Sequence, residues 1–101
     1  MIERDVEGFL RRMDDWSPEV ADSIAQSMDL QLSPAHWDVI HVVRRFYKEY
    51  GLSPTSRVTL KLLKEQLDPS FSSIQLMQLF GGRARRHLAQ IAGLPKPPDC
   101  D

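Results

Sequence analysis

The chain has 101 residues, of which 42% are hydrophobic and 27% charged, and its formal net charge is −1. That describes one globular domain: two would each be too small to bury a stable core, and the composition is neither disordered nor fibrous. His41 interrupts the longest apolar run near the middle, the acidic opening has no apolar signal core, and the single cysteine excludes an internal disulfide or a Cys-rich zinc site, so the expectation is a cytoplasmic domain with no membrane span, no metal and no cofactor.

The charge is unevenly spread. Residues 1–38 hold three basic and nine acidic side chains, and residues 39–94 reverse this to nine basic and three acidic. Either the two halves attract each other in the fold or the second half faces a polyanion.

The pattern is helical nearly throughout, and no stretch alternates as a half-buried strand would. Asp5 to Met13 predicts a short first helix with Val6, Phe9, Leu10 and Met13 on one side. Ser17-Pro18 reads as an N-cap followed by a first-turn proline, opening a helix that carries Val20, Ile24 and Met28, with Trp16 folded over its first turn. Ser33-Pro34 repeats the signal and opens the strongest helix, Pro34 to about Tyr50, ended by Gly51. Its two apolar stripes, one through Trp37, Ile40 and Val43 and one through Val39, Val42 and Phe46, mark it as the central helix. Ser53-Pro54 is expected to start a third such helix, running to about Leu67. Ser72 to Gln75 fits a capping box ahead of Ile74, Met77 and Phe80. After Gly81-Gly82, Arg83 to Ala92 predicts a last helix with Ala84, Leu88 and Ile91 inward and Gly93 at its end. The expected fold is all-α: a small bundle of about five to six helices, helix-turn-helix-like.

The tail, residues 94–101, cannot continue a helix. Three prolines among Pro95, Lys96, Pro97 and Pro98 favour an extended arm, at most about 25 Å long. The reading is therefore a helical domain over residues 1–93 and a flexible arm over 94–101 that carries the only thiol, Cys100. A buried role suits that cysteine poorly, because its neighbours are polar and proline-rich. A thiol on a tether can visit two active sites. Asp99, Asp101 and the terminal carboxylate disfavour the thiolate, so it should be a poor nucleophile until a partner supplies positive charge.

The end Ile91-Ala92-Gly93-Leu94-Pro95-Lys96-Pro97-Pro98-Asp99-Cys100-Asp101, the opening Asp5-Val6-Glu7-Gly8-Phe9-Leu10 with Trp16-Ser17, and the segment Ser33 to Ile40 are distinctive together. With Arg45-Phe46-Tyr47, Tyr50, Ser53-Pro54, Arg57 and Leu79-Phe80, they resemble the DsrC/TusE family over nearly the whole chain. The resemblance implies a sulfur carrier whose penultimate cysteine, here Cys100, holds persulfide sulfur. In TusE-like members the sulfur arrives from a donor complex and leaves towards the enzyme that thiolates the wobble uridine of tRNA, so tRNA is met only indirectly. DsrC-like members act as the gamma subunit of dissimilatory sulfite reductase and carry a second cysteine where this chain has Ala89. The resemblance thus favours the single-thiol, TusE-like role, with the DsrC-like role as the alternative. It also implies a small N-terminal β-hairpin, mostly absent here because only four residues precede Asp5.

Lys96 and the prolines are expected to present the thiol. Arg83, Arg85 and Arg86 either dock a partner or form a solvated helix face. His36 and His41 are five apart, off the spacing of a shared metal face, and His36 is read as structural. A reading from another class takes residues 34–67 as a helix-turn-helix whose second helix is basic through Arg57, Lys61 and Lys64, the mark of a DNA-binding regulator. The near-neutral net charge argues against strong binding of that kind. No Gly-rich phosphate loop, paired acids or base beside the thiol marks a self-contained enzyme; a carrier leaves activation to its protein partners.

Overall fold

A computed structural model describes residues 2–98; Cys100, with Asp99 and Asp101, lies outside the described residues. Among the described residues the fold is all-α, with five α-helices, one short 3-10 helix at Met13–Asp15 and no named strand. The serine signals place most of the starts. Ser17 Oγ accepts the Val20 N–H at the head of α1, Pro18–Ser27. Helix α2, Pro34–Tyr50, ends at Gly51, whose φ of 73° suits glycine. Helix α4, Ser73–Phe80, has the expected capping box between Ser72 and Gln75. Helix α5, Ala84–Ile91, buries Ala84, Leu88 and Ile91 as the spacing predicts.

Helix α3, Ser56–Gln66, begins later than expected. Its cap is Thr55, which accepts the Val58 N–H. Ser53 is not a cap; its hydroxyl is committed to the C-terminal tail.

Asp5 to Met13 is not a helix. The Asp5 carboxylate accepts the N–H groups of Glu7 at 2.9 Å and Phe9 at 3.0 Å, and the Asp5 N–H donates to Phe9 O at 2.7 Å. With Gly8 at φ 96°, this closes a tight turn that brings Arg4 and Leu10 into a single antiparallel bridge. Side-chain capture of local N–H groups competes with the helix ladder, and here it wins. The expected shortening of the hairpin is visible in that one bridge. Phe9 and Leu10 enter the core while Val6 at the tip is fully exposed.

Helix α5 packs on α4 and α1, and α2 packs on α3 and α4. Phe9, Ile40, Leu63, Phe80 and Ile91 lie fully buried where these elements meet. The helix α4 face differs from expectation. Leu76 and Phe80 point into the core, while Ile74 and Met77 lie outside. Buried His36 ties two elements together. The Ser33 N–H donates to its Nδ1 at 3.1 Å, and its Nε2–H donates to Leu79 O at 2.6 Å. A carbonyl only accepts, so this contact fixes the tautomer. The ring also meets Phe80 edge-on at 5.0 Å. The structural reading of His36 is the one the geometry supports.

Candidate functional site

The site is the junction of α5 with the tail that leads towards Cys100. Helix α5 leaves its last carbonyls without intrahelical donors. Two side chains from distant parts of the chain supply them. Trp16 Nε1–H donates to Ile91 O at 2.8 Å, and Arg44 Nη1 donates to Ala92 O at 2.5 Å. The Arg44 guanidinium lies 3.7 Å from the centre of the Trp16 ring, a cation–π stack. Burial pushes the pKa of Arg44 down, but a guanidinium stays charged and so complements the negative end of the helix. The chain then turns through Gly93 at φ 72°. A Cβ there would sit 2.4 Å from Trp16 Cδ1, so the turn needs glycine for backbone and space alike. Trp16 thus covers the end of α5.

The tail does not leave the body at Leu94. The Leu94 N–H donates to Ala89 O at 2.9 Å, and the side chain is buried. Ser53 Oγ donates to Pro95 O at 2.5 Å. Pro97 is buried over a hollow lined by Val43, Ser53, Pro54, Thr59, Leu88 and Ala89, with about 10 Å³ free. That is at most a water molecule's space. Lys96 points the other way, its Nζ donating to Glu7 Oε2 at 2.9 Å. Residues 94–98 of the expected arm are extended and seated, because two apolar side chains, a hydroxyl and an ion pair hold them.

The basic residues singled out in the sequence separate in space. Arg86 is turned inward to the N-terminal turn. Its Nη2 donates to Glu7 O at 3.0 Å, its Nη1 meets Glu7 Oε2 at 3.4 Å, and its guanidinium lies 5.3 Å from the Phe9 ring centre. Gln90 Nε2 donates to the same Glu7 carbonyl at 2.8 Å. The Lys96 hydrogen bond holds the Glu7 carboxyl below its ordinary value; desolvation opposes it, and the Lys96 charge and the Arg86 hydrogen bond and charge add to the lowering. Arg85 borders the hollow under Pro97, and Arg83 is exposed at the head of α5. The Glu7–Arg86 contact pairs one acid of residues 1–38 with one base of residues 39–94. Sequence reading missed Glu7, Trp16, Arg44, Ser53 and Gln90 as parts of this site.

The model of the family described as DsrC-like protein matches residues 1–100. The chain belongs to this DsrC-like family. It is 38% identical over 100 residues to sulfurtransferase TusE of Escherichia coli K12, covering 98% of this chain and 92% of the relative. The fold superposes on the NMR structure of DsrC from Allochromatium vinosum with a TM-score of 0.89 and 37% identity, covering 99% of this chain and 90% of that one. The oxidized gamma subunit of dissimilatory sulfite reductase from Archaeoglobus fulgidus gives a TM-score of 0.86 at 30% identity, covering 99% and 92%. Among the described residues no helix is long and apolar enough to cross a membrane, and no three His, Cys, Asp or Glu side chains group as metal ligands.

Proposed function

We propose that this DsrC-like protein is a sulfur carrier of a relay, taking up and delivering persulfide sulfur on Cys100 in the TusE-like manner. The observation that carries this reading is the seated tail. Five residues are aimed by α5 and fixed by Leu94, Ser53 and Pro97, and the thiol follows three residues beyond Pro97.

In loading, the Cys100 thiolate attacks the outer sulfur of a donor persulfide. A new S–S bond forms, and the donor's inner sulfur leaves as a thiolate with the electron pair. In delivery an acceptor nucleophile attacks the outer sulfur on Cys100, and the Cys100 thiolate leaves. No net oxidant is needed. The partners are the proteins at the two ends, a donor complex and a thiolating acceptor, with tRNA met only through the acceptor, in the cytoplasm. The DsrC-like alternative, with sulfite reductase as partner, needs a second thiol. The backbone of residue 89 bonds the tail, but its side chain is a methyl group, so a second thiol would come from another chain.

Intact mass after incubation with a persulfide donor tests the reading. The expected result is a gain of one sulfur that is lost on reduction and absent in Cys100→Ser. No gain from any relay donor would overturn the carrier role. Sequence-selective duplex binding that weakens steeply with salt would replace it with the regulator.

A further inference from the structure

Helix α3 turns a second face away from the tail. Arg57, Leu60, Lys61 and Lys64 recur at intervals of three and four residues and so share one side of the helix. With Glu65 they line an open hollow of about 400 Å³. Leu60 also borders a second hollow of about 290 Å³ between α3, α4 and the start of α5, where Leu76 and Met77 contribute apolar surface. Met77 is 49% exposed, and Ile74, three residues earlier on α4, is 66% exposed. An uncharged helix surface with two large exposed apolar side chains therefore adjoins a helix face carrying three cations.

We infer that these joined hollows dock an acidic amphipathic helix from a protein partner. Its apolar side rests on Leu60, Leu76 and Met77, and its carboxylates meet Arg57, Lys61 and Lys64. Charge selects the occupant, since three cations stand against the single acid Glu65 in that lining. The apolar surface selects protein over nucleic acid: phosphates are neutralised by cations alone, whereas Met77 and Ile74 gain only from an apolar partner. The groove is also continuous with the tail site. Arg85 borders both the second hollow and the one under Pro97, so a partner seated here has the tail beside it. The inference rests on the carrier reading for its purpose, not for its geometry.

Fluorescence anisotropy with a labelled designed helical peptide, Glu along one face and Leu along the other, tests it on the full chain. Binding should be saturable and should weaken by about tenfold or more in Lys61→Glu/Lys64→Glu and, without any charge change, in Met77→Ser. A control peptide with Ser for Leu should bind at least about tenfold more weakly. Circular dichroism confirms that the variants are folded. No binding, or equal binding of the Ser control, overturns the inference. So does tighter binding of a duplex DNA probe with the same loss on charge reversal, which would make the face a nucleic-acid surface. Sulfur loading of Cys100 by a small persulfide donor should be unchanged in Lys61→Glu/Lys64→Glu. If the wild type binds the peptide but cannot be loaded, the carrier reading falls and the docking face stands.

Discussion

The two ends of α5 are built differently. At its head, Arg83 makes no side-chain cap and Gly82 is exposed. At its foot, an indole, a guanidinium and a glycine turn converge from residues 16, 44 and 93. Both ends face the same elementary problem of unsatisfied backbone groups. The foot meets it with contacts distant in sequence, and the foot is the end that aims the tail. Geometric precision is concentrated where a displacement would be carried along the arm to its thiol.

Three substitutions would break or sharpen that contrast. Gly93→Ala combines a left-handed backbone with a collision against Trp16, and should cost about 3 kcal/mol in urea unfolding. A cost below about 1 kcal/mol would mean that the foot relaxes as easily as the head. Trp16→Phe keeps a ring under Arg44 but removes the indole donor from Ile91 O; a loss of about 1–2 kcal/mol is expected. At the head, Arg83→Ala serves as the reference, with a change within about 0.5 kcal/mol.

The smallest effect concerns Glu7. Its carboxyl titrates below the ordinary 4.5, so its hold on Lys96 is present above that value and is lost as pH falls through the lowered one. Glu7→Gln should leave the melting temperature nearly unchanged, because the pair is exposed. NMR shifts of Lys96 and Leu94 at neutral pH should move towards those of the wild type in acid. Unchanged shifts would show that Ser53 and Pro97 alone hold the tail.

What was legible in the sequence was what is local. Ser17, Ser72 and Gly51 act on residues within one helical turn, so they announced their helices correctly. Cys100 and its proline-rich setting stood out for the same reason. Asp5 misled because its carboxylate takes the Phe9 N–H that a helix from Asp5 would give to the Asp5 carbonyl, and because apolar spacing alone cannot register Gly8 at φ 96°. Helix α4 misled because apolar residues at 74, 76, 77, 79 and 80 nearly encircle it, and only packing on α5 and α2 chooses a side. Ser53-Pro54 carried the form of a cap, yet the hydroxyl finds Pro95, 42 residues away. Trp16 meets Ile91 across 75 residues, and no periodicity in the chain encodes that pairing.

The seat of the tail has a consequence for how it lets go. Prolines carry no N–H, so between Leu94 and Pro98 only Leu94 and Lys96 bring backbone donors, and Ser53 donates to the Pro95 carbonyl. The fixed proline rings gain little disorder on release. Residues 94–98 therefore form a strip that is already stiff, and what returns to the seat has nearly the shape that left it.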